Sequence, residues 1–148
     1  MRPSSASDAD VPTPRLGWVV IDAPDARAAA EFWRQLLGLR YGPGQESPPP
    51  GQDDPVGRGW LDLVDAEGTP RLGFRQVPGL TPTTWPDHAV PQQLHLDLAV
   101  DSVQELDAVH DRVLTLGGEL RFDRSDDPEE PLRVYVDPAG HTFCVLVG

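Results

Sequence analysis

Apolar residues along the chain change period several times, and each change marks an element. Leu16-Gly17-Trp18-Val19-Val20-Ile21-Asp22 is a short apolar run closed by an aspartate, and His95-Leu96-Asp97-Leu98-Ala99-Val100-Asp101 alternates and closes the same way. Both read as strands. Apolar residues then recur at helical spacing through Ala26, Ala29, Ala30, Trp33 and Leu37, and again through Val103, Leu106, Val109, Val113 and Leu116. Asp25 and Ser102 stand where N-caps belong, and Gly38 and Gly117 where helices stop. Val64-Asp65-Ala66-Glu67-Gly68 and Val136-Asp137-Pro138-Ala139-Gly140 read as two hairpin turns.

The plan is carried twice. The two first strands align at an offset of 79 residues, from Asp22 to Asp101, and the two hairpins at 72. A proline-rich connection over residues 42–57 absorbs the difference, because proline at that density cannot supply ladder donors. Each half reads strand, helix, three strands: 16–22, 25–37, 39–42, 58–65 and 70–77, then 93–100, 102–116, 119–123, 132–137 and 141–147. The expectation is one α+β domain over residues 15–148 made of two βαβββ modules, 15–78 and 92–148, behind a Ser-, Pro- and Asp-rich disordered tail over 1–14.

Composition narrows the chemistry. The 148 residues carry 12 cationic and 24 acidic side chains, for a net charge of -12. A phosphate backbone is repelled, so no nucleic-acid partner is expected. All the cations are arginine, which removes Schiff-base and phosphate-loop lysines. Cys144 is the one cysteine, so no intramolecular disulfide forms and no thiolate cluster holds zinc. A cytoplasmic setting fits, and no apolar run is long enough for a membrane span.

Phe32-Trp33-Arg34-Gln35-Leu36-Leu37-Gly38, Leu94-His95-Leu96-Asp97-Leu98, and Asp137-Pro138 with Gly140 together resemble the glyoxalase-like branch of the vicinal oxygen chelate superfamily, home of glyoxalase I, extradiol dioxygenases and bleomycin-resistance proteins. The resemblance implies a cup-shaped mixed sheet with helices on its convex side, a ligand in the concavity, and a homodimer. It also implies metal positions on the first and last strands of each module. By the 79-residue alignment these fall on Leu16 and His95, and on Leu72 or Gly73 and Cys144. Only His95 is a good ligand, so neither a metal nor another cofactor is expected.

Alternation puts Leu94, Leu96, Leu98 and Val100 on a helix-facing side, and His95, Asp97 and Ala99 in the cup. His95 and Asp97 are the candidate catalytic pair, a general base with a carboxylate beside it; equally, the two satisfy each other as polar neighbours. Candidate ligand contacts are Trp18, Trp60, Phe74, Gln76, Tyr135 and Cys144. Core packing is the open alternative for Trp60, Phe74 and Tyr135, while Trp33 reads as core. Arg75 or Arg133 is available to hold a ligand oxygen. His110 reads as exposed, and His141 as near the rim of the cup. The segment 78–93, with Trp85, is either a lid or a plain connector. The acidic stretch 123–131 reads as a solvated turn.

Two readings remain. One is a metal-independent lyase or isomerase that moves a proton with His95 and Asp97. The other is a protein that sequesters a drug or metabolite, in the manner of bleomycin resistance. A metal-dependent glyoxalase or dioxygenase is a third, against which the missing ligands weigh.

Overall fold

The computed structural model describes residues 10–148, so residues 1–9 of the expected tail lie outside the described residues; residues 12–18 run exposed without regular structure. The first module holds β1 (Val19–Ala23), α1 (Ala26–Leu37), β2 (Arg40–Tyr41), β3 (Trp60–Val64) and β4 (Pro70–Gln76). The second holds β5 (Leu96–Val100), α2 (Val103–Thr115), β6 (Glu119–Arg124), β7 (Leu132–Val136) and β8 (Thr142–Val147). Two separate four-stranded sheets result, ordered β1-β4-β3-β2 and β5-β8-β7-β6. Each pairs its first and last strands in parallel and the others antiparallel. This is the expected α+β architecture of tandem βαβββ modules.

Local chemistry sets the boundaries. Asp25 accepts a hydrogen bond from the Ala28 amide and Ser102 one from the Glu105 amide, so each helix starts on the side chain anticipated for it. Helix α1 ends on Gly38, whose φ of 66° suits glycine and returns its N–H to the Arg34 carbonyl. The proline-rich loop is a braced surface loop. Arg27 clamps both carboxylate oxygens of Asp54, donates to the Gln45 carbonyl, and lies 4.8 Å from the Tyr41 ring centre.

The ladders correct the internal alignment. Val19 stands opposite Leu72 as Leu96 stands opposite Phe143, so the first strands correspond at an offset of 77, not 79. The N-caps Asp25 and Ser102 keep that offset. The terminal glycines do not, because α1 has 12 residues and is capped by Gly38 itself, whereas α2 has 13 and is capped by Leu116, with Gly117 one place further on. Asp22 lies inside β1, whereas Asp101 follows β5. Trp18 is therefore the counterpart of His95, and Leu16 is not. A bulge where the β3–β4 register shifts at Leu63/Val64 adds Arg71 to β4. Beyond it, Gly73 corresponds to Cys144.

The core is one cluster that spans both modules. Helix α1 buries Ala26, Ala29, Ala30 and Trp33 as its periodicity predicts, but Leu37 and, in α2, Val103 are exposed, and Phe32 is buried instead. The reason is that α1 packs on two partners. One side covers its own sheet; Phe32 and Trp33 reach the second module, with ring centres 5.8 and 4.9 Å from that of Phe143. There the Trp33 indole N–H donates to Asp137 Oδ2 at 2.9 Å, inside the protein. Asp137 Oδ1 accepts from the amides of Ala139 and His141.

Trp33→Phe removes the indole donor and leaves a gap beside a buried carboxylate. A loss of roughly 2–4 kcal/mol is expected. Urea unfolding followed by circular dichroism measures it, and an unchanged midpoint would show the bond to be dispensable.

Candidate functional site

Strand parity decides which side chains reach a ligand. Leu72 and Phe74 of β4 point at α1, and Phe74 is fully buried. Gln76 shares that face, where its side-chain carbonyl accepts from the Ala26 amide at the start of α1. On β7, Tyr135 is fully buried against Phe143, and its hydroxyl pairs with His110 Nδ1 at 2.9 Å. Burial pushes the Tyr135 phenol up to about 12. Phe74, Gln76 and Tyr135 thus lie on the helix-facing sides and not in the concavity, and His110 is half-buried rather than exposed. Arg133 shares the face of Tyr135 and is engaged by Asp107 and Asp123 at 2.9 and 3.2 Å.

The opposite faces carry the remaining candidates. In the first module Trp18, Val20 and Trp60 converge on Gly73. A Cβ at Gly73 would stand 3.3 Å from Trp18 Nε1, from Trp60 Cζ2 and from Val20 Cγ2. Glycine is what lets the two indoles close over β4. The Trp60 N–H is fixed by Asp62 at 2.7 Å, yet the two indoles remain 45% and 40% exposed. Arg75 lies on this face with its guanidinium bound to Asp22 at 2.9 Å.

In the second module His95 Nε2 lies 3.3 Å from Asp97 Oδ1, so the pair expected on one strand face is in contact. Cys144 stands opposite Asp97 in the β5–β8 ladder. Burial, then the charge of Asp97, pushes its thiol up to about 11. Phe122, Val134 and Leu146 complete a hollow of about 290 Å³ around these groups. The connecting segment reaches this hollow: Trp85 meets Phe122 edge-on at 6.5 Å, and its carbonyl accepts from Arg121. A second hollow of about 430 Å³ lies between β1 and β5 beneath residues 80–93, and His95 borders both. Sequence reading missed Gly73 as the floor under the indoles, and it missed the second hollow. The one signal for the hollow was the length of the connector.

A family model described as a glyoxalase-like domain matches residues 18–146. The chain belongs to the glyoxalase-like domain family. No curated protein matches it. Several solved structures share the fold. The fosfomycin resistance protein FosX from Listeria monocytogenes aligns with a TM-score of 0.63 at 14% identity, over 92% of this chain and 94% of its own. A glyoxalase/bleomycin resistance protein/dioxygenase family enzyme from Burkholderia phytofirmans PsJN gives 0.60 at 18%, over 88% and 96%. A possible glyoxalase from Bacillus cereus gives 0.58 at 16%, over 90% and 99%. At these identities the likeness is one of fold, and the fold hosts unrelated chemistries.

The corrected register tests the metal that the resemblance implies. In this glyoxalase-like domain the four positions hold Trp18, Gly73, His95 and Cys144. An indole and a glycine offer no ligand atom, which leaves His95 and Cys144, fewer than the three protein ligands of a catalytic zinc site. Among the described residues no three His, Cys, Asp or Glu side chains gather as a metal site. The residues present do not fit a metal ion.

The raised thiol has a kinetic signature. With its pKa moved from 9.0 to about 11, the thiolate fraction of Cys144 at pH 8 falls about 100-fold, so iodoacetamide should alkylate the native protein about 100-fold more slowly than the urea-unfolded chain. Equal rates would show the thiol to be unperturbed.

Proposed function

We propose that this glyoxalase-like domain binds a small aromatic or largely apolar molecule on its concave faces without a metal ion, and sequesters it. The observation that carries the reading is the pair of part-exposed indoles held over Gly73. Exposed indoles are costly to leave in water and are good stacking surfaces. Solved relatives named for fosfomycin and bleomycin resistance share the fold, which supports a drug or metabolite as the class of ligand. The reading places the protein in the cytoplasm, in keeping with its single cysteine. It also pairs two chains, which would cover concave faces that stay open in one. Among the described residues no helix is long and apolar enough to cross a membrane.

N-phenyl-1-naphthylamine, a neutral aromatic probe, tests this. Its emission should rise on binding while tryptophan emission is quenched. Trp18→Ala and Trp60→Ala should each weaken it about tenfold, the value of one lost aromatic contact. Gly73→Ala should weaken it by a smaller factor, because its Cβ, 3.3 Å from each indole, pushes them by a few tenths of an ångström. Affinity unchanged in all three variants would remove the indoles from the site.

One observation favours a second reading, proton transfer in a lyase or isomerase: the His95–Asp97 contact at 3.3 Å in an open hollow. The carboxylate orients the imidazole, and the other ring nitrogen is left for a substrate proton. On a substrate that the protein turns over, His95→Gln should lower kcat by about 100-fold or more with KM little changed. Full turnover in that variant would exclude the role.

A further inference from the structure

We infer that the hollow between the two modules is a binding site in its own right, for a small, neutral and largely apolar molecule that carries one carbonyl oxygen. Its volume of about 430 Å³ lies within the range of ligand pockets. Val20, Leu80, Val90 and Leu94 give it apolar walls, and Gln92 with Thr142 forms a polar end.

The polar end has a direction. The Thr142 hydroxyl donates to the side-chain carbonyl of Gln92. That leaves the Gln92 amide N–H groups with no partner among the described residues, as donors for a ligand acceptor. A carbonyl oxygen suits them. A carboxylate does not, because the chain carries a net charge of -12 and the nearby Arg75 is already committed to Asp22.

The cavity is built rather than incidental. Its roof, residues 80–93, is pinned to the second module. Pro82 sits so close to Gly140 that any side chain at Gly140 would strike it, the Thr83 amide donates to the Gly140 carbonyl, and Arg121 holds the Trp85 carbonyl. Within the roof Thr84 and Val90 bond to each other through backbone and side chain. The base is fixed where His141 Nε2 meets the Asp22 carbonyl at 2.6 Å and Trp33 meets Asp137. A site that keeps its shape when empty costs little ordering on binding. Trp18, Trp60 and Gly73 do not line it; Val20 borders both it and the indole surface, and Gln92, His95 and Thr142 also border the smaller hollow.

Prodan, a neutral naphthyl ketone with one carbonyl acceptor, is a probe of matching chemistry. Saturable binding with blue-shifted emission is expected. Leu94→Trp fills the cleft from an exposed position and should weaken prodan at least about tenfold, and Gln92→Leu about fivefold, the worth of one hydrogen bond. Neither should change N-phenyl-1-naphthylamine binding by more than about twofold, and Trp18→Ala and Trp60→Ala should leave prodan equally unmoved. Circular dichroism melting verifies folding, and Val90→Trp replaces Leu94→Trp if that variant melts early. Prodan binding that is absent, that survives the filling variants, or that falls with the tryptophan variants would overturn the inference. Failure of the naphthylamine test alone leaves it standing.

Discussion

A carboxylate buried far from solvent must be given hydrogen bonds, and the one at Asp137 organises this molecule. Asp137 is 4% exposed and takes one donor from Trp33, 104 positions earlier in the chain, and two from the amides of its own turn. The long-range bond fixes α1 against the second module. The local bonds fix the turn from Asp137 to Gly140, where glycine at φ 92° completes the reversal. That turn launches β8, sets His141 against the Asp22 carbonyl, and receives the connector through Pro82 and Thr83. One satisfied carboxylate thus couples helix, turn, seam and roof.

With the frame fixed, function divides by strand parity. Each sheet gives alternate side chains to a shared core, and that core is stringent: Phe74, Tyr135 and Phe143 are all fully buried. The other face is free to vary, and the two modules have diverged there. Where the second carries His95, Asp97 and Cys144, the first carries Trp18, Val20 and Gly73 at the corresponding places. The second module carries a polar strip there and the first an aromatic platform. Such divergence is what a duplicated unit permits once each copy serves a different part of one ligand or one surface.

Much of the frame was legible because it rests on local rules. Helix periodicity, the caps at Asp25 and Ser102, the two Asp-to-Gly turns and the alternation that sets His95 beside Asp97 all depend on neighbours within a few residues. The differences have separate physical origins. Aligning the halves on aspartates gives 79 residues, but the ladders give 77, because Asp22 is a residue of β1 whereas Asp101 lies beyond the end of β5. The faces of Phe74 and Tyr135, and of Gln76 beside Phe74, stay open in the sequence because short strands of mixed residues do not declare which side meets a helix. Phe32 was missed because helical periodicity describes one buried stripe, and α1 is buried on two sides.

Gly73 shows why a glycine in a strand can be the most informative residue of a site. Glycine weakens a strand interior by entropy and by the packing it forgoes, so its presence there asks for a compensating close approach. Here the approach is by two indoles and a valine, each at 3.3 Å from where a side chain would begin. The opposite choice at the same structural position, Cys144, fills its own space and raises its own pKa by doing so. A glycine at this place and two indoles closing over it are therefore one structural choice. A side chain long enough to reach a metal from β4 would occupy the volume that the indoles need, so this face can support coordination or an aromatic platform, but not both.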